Sequence, residues 1–101
     1  MSTRPLRIGI LSSARIARSF AQAVRASGRL SVSAVGSRAL HKAQAFAAEL
    51  NIPLAYGSYE EVLADPDIDA IYNPLPNSMH APWSIAAARA GKHVLCGNLW
   101  R

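Results

Sequence analysis

A near-continuous apolar run at residues 6–11, Leu-Arg-Ile-Gly-Ile-Leu, constrains the fold of this chain more than any other feature. Apolar residues without strict alternation are typical of a strand that is buried on both faces of a parallel sheet. A segment with helical spacing of apolar residues follows at 14–26, and Gly28 lies where a glycine commonly ends a helix. A buried strand that leads at once into a helix predicts the first half of a β-α-β unit.

The same alternation continues along the rest of the chain. Strands are predicted at residues 30–35, 54–56, 68–72 and 92–96, and helices at residues 39–50, 58–63 and 82–90. Pro82 would lie in the first turn of the last helix and Gly91 just past its end. This pattern predicts an α/β fold, a Rossmann-type doubly wound parallel sheet with strand order 3-2-1-4-5. The sheet is expected to be incomplete, because the pattern ends with the fifth strand.

The composition limits the size and class of the protein. With 101 residues, half of them hydrophobic, the chain can build one core but not two, so residues 1–96 are expected to form one domain. The net charge of +5 would suit nucleic-acid binding. The basic residues, however, are scattered along the chain, at Arg15, Arg18, Arg25, Arg38, Lys42 and Lys92. We therefore expect solvated helix faces and an anionic cofactor, and no nucleic-acid partner.

The ends of the chain and its lone cysteine bear on its location. No apolar stretch is long enough for a membrane span or a signal peptide, so no membrane partner is expected. Cys96 has no second cysteine to pair with, which favours a reducing cytoplasm. Its apolar neighbours favour a buried strand thiol over a nucleophile.

The turn after the first strand is the first candidate site. A dinucleotide fold needs small residues at three positions here, usually in the pattern G-x-G-x-x-G, and this chain has Ser12, Ala14 and Ala17. Backbone N–H groups at the helix start and a serine hydroxyl could receive a pyrophosphate. The candidate cofactor-binding residues of this turn are Ser12, Ser13, Ala14, Arg15 and Ile16. The alternative is an N-capping serine without a ligand.

The end of the second strand indicates which dinucleotide is preferred. An acidic residue at this position would hold the ribose 2′-hydroxyl of NAD, but the chain has Ser37 and Arg38. An arginine offers a forked cation for a 2′-phosphate, so the sequence favours NADP over NAD. The alternative is a solvated arginine at the start of the second helix.

Two motifs near the end of the chain carry a family resemblance. Residues 76–80, Pro-Asn-Ser-Met-His, resemble the P-N-x-x-H loop of the glucose-fructose oxidoreductase, inositol dehydrogenase and rhizopine-catabolism (Gfo/Idh/MocA) family. Residues 91–96, Gly-Lys-His-Val-Leu-Cys, resemble its G-K-H-V-x-C strand. The likeness covers residues 6–96. It implies an oxidoreductase whose relatives transfer hydride between a nicotinamide and a sugar, cyclitol or dihydrodiol carbon.

The resemblance also implies a role for the loop after the fourth strand, predicted to be rigid over residues 73–80. In the family this loop lies beside the nicotinamide, which implies cofactor contacts for Leu75, Pro76, Asn77 and His80. A capping or loop histidine without a ligand is an equal alternative for His80. Trp83 is expected in the core rather than as a stacking platform. No metal site is expected.

The chain departs from the family after Cys96. Relatives continue with E-K-P, whose lysine lies at the reaction centre, and with a substrate domain, whereas this chain has Asn98 at the lysine position and ends at Arg101. An amide cannot act as the cationic donor or proton carrier. We therefore expect no catalytic residue and no turnover by this chain alone, and a non-catalytic nucleotide-binding or interaction module is the alternative function.

A single deleted base would account for residues 97–101. If the A of GAG is removed from TGC GAG AAA CCT CTG GCG, which encodes C-E-K-P-L-A, the reading becomes Cys-Gly-Asn-Leu-Trp-Arg, as at residues 96–101. The hypothesis of a frameshifted tail predicts an oxidoreductase remainder in a neighbouring frame of the DNA. An incomplete sheet would leave an exposed edge, so self-association is also expected.

Overall fold

The structure is a computed structural model of the chain and describes residues 6–12, 15–28, 30–75 and 77–96. Its elements are β1 (Leu6–Leu11), α1 (Arg15–Ser27), β2 (Leu30–Gly36), α2 (Leu40–Leu50), β3 (Leu54–Tyr56), α3 (Tyr59–Ala64), β4 (Ala70–Asn73), α4 (Asn77–Arg89) and β5 (His93–Cys96). The strands form a parallel sheet in the order β3-β2-β1-β4-β5. The predicted doubly wound topology is confirmed.

Two core clusters lie on the two faces of the sheet. Successive side chains of a strand point to opposite faces, and Ile8 and Ile10 of β1 belong to the cluster under α1 and α2. Leu11 belongs to the other cluster, with residues of α3 and α4. The central strands are therefore buried on both sides, as their continuous apolar sequence predicts.

Two glycines allow α3 to lie close against the second face. A Cβ on Gly9 would come within 2.5 Å of Val62 Cγ1, and a Cβ on Gly36 within 2.5 Å of Val62 Cγ2. Val62 therefore occupies the space above two neighbouring strands that lack side chains at that point. The start of α3 is capped as predicted, since Glu61 N–H donates to Ser58 Oγ and the Ser58 hydroxyl donates to Glu61 Oε1.

The predicted bounds of the last helix are wrong. It begins at Asn77, not at Pro82, which lies inside it. Proline removes one helical hydrogen bond and disfavours a helix interior, but the fully buried Asn73 anchors the first turns here: its Nδ2 donates to the carbonyl of His80 and to Ser84 Oγ, both at 3.0 Å. The loop predicted over residues 73–80 is correspondingly shorter.

Three smaller differences concern strand and helix ends. β4 begins at Ala70 and not at Ile68, because Ile68 N–H donates to the carbonyl of Asp65 in a turn. Ala39 is the extended N-cap of α2 and not its first residue. Lys92 precedes β5 and is 9% exposed, so its expected solvated position is also wrong.

Candidate functional site

The carboxyl ends of three neighbouring strands meet at one edge of the sheet. Leu11 of β1 lies beside Gly36 of β2 in the parallel register, and Ile10 lies beside Tyr72 of β4. The segments that follow these strands are therefore neighbours. Strand order reverses between β1 and β4, and in open α/β sheets the crevice at that point is where ligands bind.

Ser12 follows β1 with an unusual backbone conformation. Its φ is +151°, a region that residues with a Cβ rarely adopt. It also occupies the position that is the first glycine in G-x-G-x-x-G. A serine thus stands where a glycine usually follows the first strand of a dinucleotide fold. Ser13 and Ala14 lie outside the described residues.

The first turn of α1 presents a polar and an apolar side chain to the surface. Arg15 is exposed, and the side chain of Ile16 is 45% exposed. Ala17, at the third small position of the motif, is fully buried and lets the helix pack closely on the sheet. The exposed helix start and Arg15 could together accept a pyrophosphate.

The turn after β2 combines a mostly buried serine with an exposed arginine. Ser37 is 7% exposed and its N–H donates to the carbonyl of Tyr56 at 3.1 Å. Its hydroxyl oxygen has no hydrogen-bond partner within the described segments and is accessible to solvent. Arg38 is exposed, and its charge partly opposes the burial that raises the pKa of Tyr59. Ser37 and Arg38 therefore offer donors of the kind that a phosphate accepts.

Asn73 fixes the path of the chain after β4. Beyond its two bonds to α4, its Oδ1 accepts from Leu75 N–H at 3.1 Å. The side chain of Leu75 is 7% exposed and packs in the core under α3 and α4, so Leu75 could contribute to a cofactor site mainly as part of its apolar wall. Pro76 lies outside the described residues, and Asn77 begins α4.

His80 lies in the first turns of α4 and carries an unsatisfied nitrogen. Its side chain is half-buried, and Nε2 is buried without a hydrogen-bond partner in the part of the chain that the structure describes. A buried polar atom of this kind usually has a partner in the functional state. His80 lies inside α4, which runs from Asn77 to Arg89, and not in the loop that precedes it.

Trp83 is one turn further along α4 and is packed against the core, as expected. Its ring meets that of Tyr59 edge to face, with centroids 5.2 Å apart. Cys96 lies on β5 as predicted, and Asn98 lies outside the described residues.

The described residues contain neither a group of metal ligands nor a helix suited to a membrane. Within residues 6–12, 15–28, 30–75 and 77–96, no three histidine, cysteine or acidic side chains are grouped as metal ligands would be. In the same segments, no helix has the length and apolar character to cross a membrane.

Sequence reasoning missed two residues of this edge, Asn73 and Tyr59. An asparagine at the end of an apolar strand and before a proline is an available signal for a buried polar anchor. The packing of Tyr59 depends on how α3 and α4 meet, which no local pattern indicates.

Known proteins with similar sequences and structures are oxidoreductases. A D-xylose 1-dehydrogenase (NADP(+)) of Haloferax volcanii is 53% identical over 89 residues, which are 87% of this chain and 27% of that protein. A trans-1,2-dihydrobenzene-1,2-diol dehydrogenase of Mus musculus is 41% identical over 93 residues, 90% of this chain and 28% of that protein. The chain thus spans well under a third of the length of these relatives.

A solved structure with the same fold is that of a 3-ketoreductase from Actinomadura kijaniata in complex with NADP and TDP-benzene. It matches with a TM-score of 0.85 and 38% identity over 91% of this chain and 28% of that one. Residues 6–97 also match the family described as the GFO_IDH_MocA oxidoreductase family, NAD-binding Rossmann fold. The chain therefore belongs to the Gfo/Idh/MocA oxidoreductase family and comprises its NAD(P)-binding Rossmann-fold part.

Proposed function

We propose that this chain binds NADP in preference to NAD, as the cofactor-binding part of an oxidoreductase. The observation that carries the proposal is the turn after β2, where the unpartnered hydroxyl of buried Ser37 adjoins the exposed Arg38. A carboxylate there would suit the 2′-hydroxyl of NAD and repel a 2′-phosphate. Two similar proteins support the choice, since one is named an NADP(+) dehydrogenase and the other was solved with NADP.

The cofactor would lie across the crevice between the ends of β1 and β4. We assign the pyrophosphate to the turn that contains Ser12, Ser13, Ala14, Arg15 and Ile16. The 2′-phosphate is assigned to Ser37 and Arg38. The nicotinamide is assigned to the segment with Leu75, Pro76, Asn77 and His80, and the orphaned Nε2 of His80 supports a polar ligand there.

Equilibrium binding of the two dinucleotides tests this proposal. By isothermal titration calorimetry we expect tighter binding of NADP than of NAD. The Arg38→Ala variant should lose about tenfold in NADP affinity and little in NAD affinity, since it removes one charge-assisted contact. Arg25→Ala is the matched control: this arginine is also exposed, but it lies in the last turn of α1, away from the carboxyl edge. Equal affinities for NADP and NAD would overturn the assignment.

A protein with the whole family fold would also contain the site for the substrate carbon that accepts or donates the hydride. We propose that the complete enzyme transfers hydride between the nicotinamide and a sugar, cyclitol or dihydrodiol carbon, and that this chain alone does not. Asn98 replaces the lysine that the resemblance places at the reaction centre, and a positioned proton donor contributes about 10²–10⁴ in rate. An absorbance assay for NADPH with D-xylose or a trans-dihydrodiol should show no turnover, and measurable turnover would refute the proposal.

We further propose a cytoplasmic, self-associating protein without a nucleic-acid partner. Within the described segments β5 pairs only with β4, so one side of β5 is free to pair with another chain. The stacked rings of Phe20 and Tyr72, with centroids 3.7 Å apart, line an open apolar groove between α1 and β4, the strand next to β5. Sedimentation velocity should reveal concentration-dependent oligomers, and a monomer at all concentrations would argue against this.

A further inference from the structure

Tyr59 carries a hydroxyl that the core does not use. Its side chain is buried to 8% exposure and packs in the cluster that contains Leu11 and Leu75, the residues that flank the cofactor crevice. The phenol oxygen makes no hydrogen bond with any residue that the structure describes. The ring is buried but the hydroxyl oxygen is not enclosed by the described residues, so the hydroxyl is free to donate to a ligand at the surface.

The backbone at the start of α3 brings Tyr59 next to the turn after β2. The carbonyl oxygen of Ser58 lies only 3.0 Å from the position that a Cβ on Gly36 would occupy. Arg38, two residues beyond Gly36, is close enough for its charge to act on the phenol of Tyr59. The unpartnered hydroxyls of Ser37 and Tyr59 and the guanidinium of Arg38 therefore belong to one corner of the crevice.

We propose that Tyr59 is a specificity-determining residue for the cofactor, whose hydroxyl donates a hydrogen bond to the 2′-phosphate of NADP alongside Ser37 and Arg38. This inference rests on the proposed function and names a residue that the family motifs do not include.

The chemistry of the corner suits a phosphate better than a ribose hydroxyl. Burial raises the pKa of Tyr59, so the phenol stays protonated and remains a donor at neutral pH. A phosphate offers several strong acceptor oxygens, and a hydrogen bond to a charged acceptor is worth about twice one to a neutral acceptor. Removal of the Tyr59 hydroxyl should therefore weaken NADP binding much more than NAD binding.

Two phenylalanine variants separate this role from a structural one. Tyr59→Phe keeps the ring that packs edge to face against Trp83 and removes only the hydroxyl. Tyr56→Phe is the matched control, because the Tyr56 hydroxyl already donates to Asp65 Oδ2 at 2.8 Å and has no donor to spare for a ligand. Thermal melts of both variants report whether the fold is kept.

The binding test uses the full 101-residue chain and two probes, adenosine 2′,5′-bisphosphate and 5′-AMP, which differ only in the 2′-phosphate. We expect Tyr59→Phe to lose about tenfold in affinity for the bisphosphate and none for 5′-AMP, while Tyr56→Phe changes neither. Unchanged bisphosphate affinity in Tyr59→Phe, or equal losses for both probes, would overturn the role of Tyr59 alone. A wild-type chain that does not discriminate between the probes would overturn the NADP proposal as well.

A second measurement uses only the wild-type chain, so it does not depend on whether a variant folds. In the wild-type chain with ¹³Cζ-labelled tyrosine, the Tyr59 resonance should shift on addition of the bisphosphate and stay unchanged with 5′-AMP, while the Tyr56 resonance is unaffected by either. A Tyr59 resonance that does not respond to the bisphosphate while the probe binds would overturn the inference.

Discussion

The ammonium nitrogen of Lys92 lies 2.7 Å from the backbone carbonyl oxygen of Asp65 and donates a hydrogen bond to it. It donates a second bond, of 2.8 Å, to the carbonyl of Ile68. Lys92 immediately precedes β5, whereas both carbonyls belong to the turn between α3 and β4. The buried ammonium group of Lys92, held by two backbone carbonyls, therefore links β5 at the edge of the sheet to the turn between α3 and β4.

Replacing Lys92 by methionine should lower the free energy of unfolding by about 2 kcal/mol. The Asp65 carbonyl would keep its bond from Ile68 N–H, but the Ile68 carbonyl would lose the ammonium donor and remain buried, which costs about 1–3 kcal/mol. Urea unfolding followed by circular dichroism measures the change. Lys42→Met on the exposed face of α2 is the control, with an expected change below about 0.5 kcal/mol. Equal effects of the two substitutions would contradict the prediction.

Tyr56 should make the fold sensitive to alkaline pH. The hydrogen bond to Asp65, followed by burial, raises the pKa of Tyr56 from 10.0 to about 12. Because the folded pKa is above the unfolded one, the native state binds more protons in this window. The stabilisation is fully present below pH 10 and is lost as the pH rises through 12.

Stability profiles of the wild-type chain and of Tyr56→Phe test this dependence. The wild-type chain should lose stability more steeply than the variant from pH 10 to pH 12, and the variant should be less stable at pH 8. Titration of the other tyrosines and of lysines is common to both proteins and cancels in the difference. Parallel profiles across the window would show that the Tyr56 hydroxyl is not coupled to folding.

The strand order and the cap of α3 could be predicted because each depends on local pattern or on general topology. The run at residues 6–11 is almost entirely apolar because β1 is central, and the Ser58–Glu61 spacing forms a cap within one turn. The start of α4 could not be predicted in this way. Proline is normally a first-turn residue, but Pro82 lies inside α4. Asn73, a residue outside the helix, donates hydrogen bonds to the turns of α4 on both sides of this proline.

The candidate site shows the same division between local and tertiary information. Ser37 and Arg38 can be proposed from the sequence because they directly follow a predicted strand end. Lys92 was misplaced because a lysine next to a glycine is usually solvated, and its two carbonyl partners are more than twenty residues away in the sequence. The hydroxyl of Tyr59 was missed for a related reason, since its surroundings arise only when α3, α4 and β2 pack together.

Because Val62 lies against both Gly9 and Gly36, a methyl group added at either glycine should destabilise the fold. The two sites should differ in how far a smaller residue at position 62 restores stability. Gly9→Ala and Gly36→Ala should each cost about 1–3 kcal/mol, because each added Cβ would overlap a methyl of Val62. Around Gly9 every close atom belongs to a side chain, so Val62→Ala should relieve most of the added cost in a double-mutant cycle. Beside Gly36 the backbone carbonyl of Ser58 is 3.0 Å away and cannot be trimmed, so relief there should be incomplete. Equal relief at both glycines, measured by urea unfolding, would contradict this account.

The backbone of Ser12 predicts that glycine at this position stabilises the fold. A residue with a Cβ held at a φ of +151° stores about 1–3 kcal/mol of strain, which glycine avoids. Glycine loses about 0.5–1 kcal/mol more in conformational freedom on folding, so Ser12→Gly should raise the free energy of unfolding by about 1 kcal/mol. Ser12→Val, with a branched Cβ, should lower it.

The control for Ser12 is a serine in ordinary strand conformation. Ser31 of β2 lies opposite Arg7 in the parallel register, and Ser31→Gly should cost about 0.5–1 kcal/mol because no strain is relieved. Thermal melts of the three variants, with NADP titrations of each, give the order of stability and show whether the turn still receives the cofactor. Should Ser12→Gly and Ser31→Gly lose stability to the same extent, the backbone of Ser12 would not be a source of strain.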